Sequence, residues 1–176
     1  MTDGLTGQAD LDALFAATYE ELRRLAVLVK RAHKNATLSP TALVHEAWIK
    51  LSASDGVNAV SRLHFKRIAA RAMRQVLIDD IRRRKAGKRG GGNDVLVTMS
   101  LSPEPAIVAE DELIALDDSL DKLAKMNPRQ AAMVEGRFFG GLDIPEIAEL
   151  LGISEATVLR DWRAAKAWLA QEVRRS

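Results

Sequence analysis

Ala148, Gly152 and Val158 stand four, then six residues apart in the run Ile144-Pro145-Glu146-Ile147-Ala148-Glu149-Leu150-Leu151-Gly152-Ile153-Ser154-Glu155-Ala156-Thr157-Val158. That spacing constrains the chain more than any other feature. A small side chain at 148 lets two helices approach closely. Glycine at 152 takes the left-handed backbone that a tight turn demands. A branched apolar residue at 158 fills the angle between the helices. The pattern predicts a helix-turn-helix, a motif that presents its second helix to a DNA major groove. In that helix Val158, Trp162, Ala165 and Leu169 make the buried stripe. Ser154, Glu155, Ala156 and Thr157 form the first turn, and Arg160, Arg163 and Lys166 are candidates for phosphates or guanine edges.

The remainder reads as helical too. Aromatics are only 5% of the 176 residues, and β-branched runs are few. The expected fold is all-α: two small helical domains joined by a flexible linker, the C-terminal one a helix-turn-helix. A first helix runs from an Asp10 cap to about His33, after a loose tail at 1–9, with Leu11, Leu14, Phe15, Leu22, Leu25 and Val29 on one stripe. Ser39-Pro40 caps a second helix ending near Leu51. A third spans about 62–85, with Phe65, Ala69, Ala72, Val76 and Leu77 inward and with Asp79–Arg83 and Asp80–Arg84 as i,i+4 pairs. Glycines 87, 90, 91 and 92 and prolines 103 and 105 mark residues 87–109 as linker between domains at 10–86 and 110–173. Helices at 110–125, 128–138, 144–151 and 154–173 follow, and Asp143 with Glu146 resembles a capping box.

Net charge is only +2, yet charge is segregated. Residues 62–89 carry eleven Lys/Arg against two Asp, and residues 102–128 carry seven acids against two Lys. Such one-sided charge suits a polyanion. Lys66, Arg67, Arg71, Arg74, Arg82, Arg83, Arg84 and Lys85 are the candidate DNA contacts of the third helix. That reading requires the arginine row to face outward, not to be buried between the two domains.

Enzyme classes find no support. The chain has no cysteine, so thiolate metal sites and disulfides are excluded. His45-Glu46 opens like a zinc-protease motif, but Ile49 stands where the second histidine belongs. No phosphate-loop lysine follows the glycines at 90–92, and no metal or cofactor is expected. With no membrane span or leader core, the expectation is a cytoplasmic protein.

A basic helix, a linker and a terminal helix-turn-helix resemble the extracytoplasmic-function sigma factors of the sigma-70 family, over residues 10 to 173. Leu43-Val44-His45-Glu46-Ala47-Trp48-Ile49-Lys50-Leu51 resembles that family's polymerase-docking helix, which implies Leu43, Val44, Glu46, Trp48, Ile49 and Lys50 as polymerase contacts. Phe65 to Arg84 resembles its minus-ten reader, and the resemblance implies that the loop 52–63 takes part in melting. Phe138 to Leu169 resembles its minus-thirty-five reader. Many relatives carry Lys where Leu159 stands and Arg where Asp161 stands. The implied partners are core RNA polymerase and promoter DNA, with an anti-sigma protein a further candidate. The alternative is a stand-alone helix-turn-helix regulator, which would bind duplex DNA tightly without polymerase.

Overall fold

The computed structural model describes residues 3–32, 38–54, 61–87 and 110–175. Its elements are α1 (Asp3–Ala32), α2 (Pro40–Ser52), α3 (Arg62–Gly87), α4 (Glu110–Met126), α5 (Pro128–Val134), a π-helical turn (Glu135–Phe139), α6 (Ile144–Leu151) and α7 (Glu155–Arg175). No strand occurs among the described residues, so the fold is all-α. The expected linker falls almost entirely on residues 88–109, and the centre of the melting loop on 55–60; both lie outside the described residues.

Local chemistry sets most boundaries. Ser39 accepts from the Ala42 amide at 3.1 Å ahead of Pro40, starting α2. Asn127 does the same for α5, accepting from the Gln130 amide at 3.2 Å ahead of Pro128. The capping box of α6 is complete: the Glu146 amide donates to Asp143 at 2.8 Å, and the Asp143 amide donates to Glu146 at 2.9 Å. One expectation fails at the other end of the chain. α1 begins at Asp3, and Asp10 is an exposed residue inside it rather than its cap. Its inward stripe runs through Leu11, Thr18, Leu22 and Ala26, with the Thr18 hydroxyl satisfied by the Leu14 carbonyl at 2.7 Å.

The π turn also departs from the expected unbroken helix at 128–138. The Gly140 amide reaches back five residues to the Glu135 carbonyl at 3.1 Å, and the Leu142 amide reaches the Gly136 carbonyl at 3.0 Å. A Cβ at 140 would lie 2.7 Å from the Gly136 oxygen, so glycine there is a steric requirement. Widening the helix turns the chain sharply and pushes Gly140-Gly141 against the N-terminal half. A Cβ at 140 would meet Ala70 of α3 at 3.4 Å, and one at 141 would meet Leu25 of α1 at 2.6 Å.

That contact belongs to a larger junction. α3 packs on α1 and α2 along one side and on the π turn, α4 and α6 along another. Its sequence explains the two-sidedness. Phe65, Ala69, Ala72 and Met73 make one buried stripe, while Ala70, Arg74, Ile78 and Ile81 recur at helical spacing on a second. The two halves therefore share one continuous core. In the C-terminal half, Val158, Trp162, Ala165 and Leu169 of α7 are all buried, as their spacing predicts.

Gly141 and Gly152 both hold φ near +63°, but Gly152 has open space at its Cβ position while Gly141 faces Leu25. Gly152→Ala is expected to cost about 1–2 kcal/mol, the conformational penalty alone. Gly141→Ala adds a clash and should cost more. Urea unfolding of the two variants checks the order.

Candidate nucleic-acid interface

The helix-turn-helix geometry follows from its residues. Gly152 closes α6 in the left-handed region, φ 63° and ψ 36°, and the Ile153 amide bonds back to the Ala148 carbonyl at 3.1 Å. Ser154 then accepts from the Thr157 amide at 3.2 Å, and their hydroxyls meet at 2.9 Å. Val158 is fully buried in the angle between the helices. With the inner stripe committed to the core, Ser154, Glu155, Ala156, Leu159, Arg160 and Arg163 are exposed, and Thr157 and Lys166 are half-buried.

Asp161 does not lie on this open face. It is 6% exposed and receives Arg129 of α5 at 2.6 Å. The carboxylate thus has a structural role: it ties α5 to α7. Trp162 is buried beside it and Trp168 is half-buried, so both pack rather than stack on bases.

The row on α3 divides. Arg71 and Arg83 are exposed and Arg67 is half-buried, and none of the three has an ion pair among the described residues. The rest are held by carboxylates. Arg74, 2% exposed, meets Asp117 of α4 at 3.2 Å, Asp121 at 3.2 Å and Glu135 of the π turn at 3.3 Å. Its guanidinium also lies 5.9 Å from the Phe139 ring centroid. Arg82 reaches Asp118 at 2.9 Å and Asp117 at 3.5 Å, Arg84 reaches Glu110 at 2.7 Å and Asp80 at 3.1 Å, and Lys85 pairs with Asp111. Lys66, 7% exposed, bridges Glu21 at 3.0 Å and Glu146 at 3.4 Å.

The expectation of an outward arginine row is therefore not met in this conformation. Lys66 and Arg74 are covered, and Arg82, Arg84 and Lys85 have protein carboxylates where phosphates were expected. Helical spacing alone cannot separate a solvent face from a face covered by residues 35 to 80 positions away. The segregated acids at 102–128 were the one signal pointing to such a partner. Asp79 likewise pairs with Lys50 of α2 at 3.2 Å, not with Arg83.

Two ionisable groups on this surface are shifted by their surroundings. Burial pushes the Asp117 carboxyl above its ordinary range, outweighing the opposing pull of Arg74 and Arg82, while Asp121 and Asp118 push the same way as burial. Burial lowers the His64 imidazole, and the Arg67 charge adds to it.

On α2, Leu43 and Val44 are 3% and 1% exposed, so these proposed polymerase contacts belong to the core. Trp48 is half-buried and stacks on Phe15 at 4.3 Å. Glu46, Lys50 and Ile49, the last 58% exposed, form the open part of the segment.

The described fold is all-α, with a basic central helix followed by a helix-turn-helix. The family model for ECF sigma factors matches residues 5–175, and the chain belongs to that family. Its members act in transcription initiation with RNA polymerase and promoter DNA, not as catalysts. No curated protein and no solved structure matches the chain. No described helix is long and apolar enough to cross a membrane, and the described residues hold no acid or histidine cluster suited to a metal.

Replacing Asp161 with Arg sets two cations side by side at a buried position. It should destabilise the chain by about 2–4 kcal/mol, and the swap Arg129→Asp with Asp161→Arg should recover part of the loss in thermal unfolding. For His64, a depressed imidazole value favours the neutral ring in the fold. Its stability is complete above the ordinary 6.5 and is lost as pH falls through the lower folded value. NMR titration should place His64 below 6.5, and Arg67→Ala should raise it.

Proposed function

We propose that this chain is the sigma subunit that brings core RNA polymerase to a defined set of promoters and starts DNA melting. The observation that carries the reading is the open face of α7. Beyond a glycine turn, with its apolar stripe fully committed to the core, it offers Ser154, Glu155, Ala156, Arg160 and Arg163 to solvent. In this account α7 enters the major groove of the minus-thirty-five element, with Thr157 and Lys166 at the edges of the contact. α3 and the loop before it act on the minus-ten element, where a base leaves the stack to nucleate melting. Arg67, Arg71 and Arg83 are the α3 cations already open to phosphates, and Lys66, Arg74, Arg82, Arg84 and Lys85 complete the row once their carboxylates move away. Glu46, Trp48, Ile49 and Lys50 of α2 dock on polymerase, with Trp48 held in place by Phe15. The domain division at 87–109 lets polymerase hold the two readers at separate promoter elements. An anti-sigma protein is the further partner proposed for its control.

Run-off transcription with core polymerase on a genomic fragment library tests this directly. Discrete promoter-dependent transcripts are expected with the chain and none without it; tight, polymerase-independent duplex binding with no transcripts would point instead to a stand-alone regulator. Glu46→Ala with Ile49→Ala should weaken polymerase affinity about tenfold, as loss of an exposed interface anchor does, without changing the unfolding midpoint. Arg160→Ala with Arg163→Ala should leave polymerase affinity unchanged and cut promoter occupancy about tenfold or more.

A further inference from the structure

We propose that Leu159 reads a thymine methyl, so that the promoter element met by α7 carries a required T·A pair opposite this side chain. The inference rests on the reading of α7 as a DNA-contacting helix. It adds one specificity-determining residue and the base that residue selects.

The other large apolar residues of α7 are committed to the fold. Val158, Trp162 and Leu169 are buried, and Trp168 and Val173 pack against the same core. Leu159 is the exception at 36% exposed, and among the described residues only Ile49 and Met126 are large apolar side chains left as open. Single exposed leucines are common on protein surfaces, so exposure alone assigns no role. The surroundings do. Glu155 stands one helical turn before Leu159 and Arg163 one turn after it, Arg160 is its neighbour in sequence, and all three are exposed. An apolar side chain thus interrupts a polar, cationic face. Ser154 and Ala156, both small and exposed, keep the adjoining turn low. That lets the helix backbone approach a groove floor closely, as a side chain as short as leucine requires. Arginine is long enough to reach phosphates at the rim of the groove, so Arg160 and Arg163 can hold the helix there while Leu159 meets the bases.

The chemistry of the side chain then selects the base. Leucine neither donates nor accepts a hydrogen bond. On the base edges of the major groove the one apolar group is the 5-methyl of thymine; the rest are amino donors and ring or carbonyl acceptors. Against thymine, Leu159 covers the methyl, and both groups leave water. Against cytosine, it covers an amino group that loses its water and gains no partner. One side chain therefore favours one pyrimidine and rejects the other.

The test reads the methyl alone. Duplexes bound by the full chain are selected from a randomised pool, once with core polymerase and once without. Each thymine of the selected sequence is then replaced singly by deoxyuridine, which lacks only the 5-methyl group. Affinity is measured for the parent and for Leu159→Ala. At one thymine, deoxyuridine should weaken the parent about fourfold, the worth of one buried methyl, while Leu159→Ala binds both duplexes alike. Cytosine at that position should weaken the parent further, and 5-methylcytosine should recover part of the loss. Each comparison is a ratio within one protein, so a smaller folded fraction of the variant cancels. A selected sequence with no thymine whose methyl effect vanishes in Leu159→Ala overturns the assignment. So does a variant that loses polymerase affinity but keeps the parent's sequence preference, since Leu159 then faces polymerase and not DNA. Failure of the broader reading looks different. Tight, selective binding without core polymerase removes the sigma role, and the deoxyuridine comparison on that same duplex still decides Leu159. A chain that selects no sequence from either pool overturns both.

Discussion

A single guanidinium, Arg74, is the constraint on which the arrangement of the two halves depends. It leaves α3 on the side away from α1 and α2 and has almost no access to water. Such a charge is tolerable only where carboxylates reach it. α4 and the π turn supply them, and in doing so they fix where the C-terminal half sits. The π turn is part of the same solution. By widening the helix it brings Glu135 toward the arginine and lays the double glycine against Ala70 and Leu25.

The two surfaces proposed to face DNA consequently differ in state. The α7 face is open and is shaped by local chemistry alone: a capping box, a left-handed glycine and a four-residue stripe. The α3 face is mostly covered and is shaped by contacts distant in sequence. The α7 face is open to solvent, and most cations of the α3 face are paired with protein carboxylates.

The sequence made local features plain. Ser39, Asn127, the Asp143–Glu146 box and the Val158 stripe act within a few residues, so their consequences can be read from spacing. Segregated charge was equally plain, but its meaning was not. A row of arginines reads the same whether phosphates or aspartates face it, and the i,i+4 rule assigned Asp79 to Arg83 when Lys50, on another helix, was nearer. Leu43 and Val44 illustrate the opposite error: a motif shared with a docking helix included its buried side as well as its contact side. Asp161 looked like an anomaly in a DNA-reading helix until Arg129 appeared beside it. The start of α1 was missed because glycines at 4 and 7 weigh against a helix that nevertheless continues through them.

Small-angle X-ray scattering of the free chain at low ionic strength tests the central claim most directly. A shared core paired through Arg74 predicts a radius of gyration of about 16 Å, that of a single compact body of this length. A bilobed profile already much larger at low salt would contradict it.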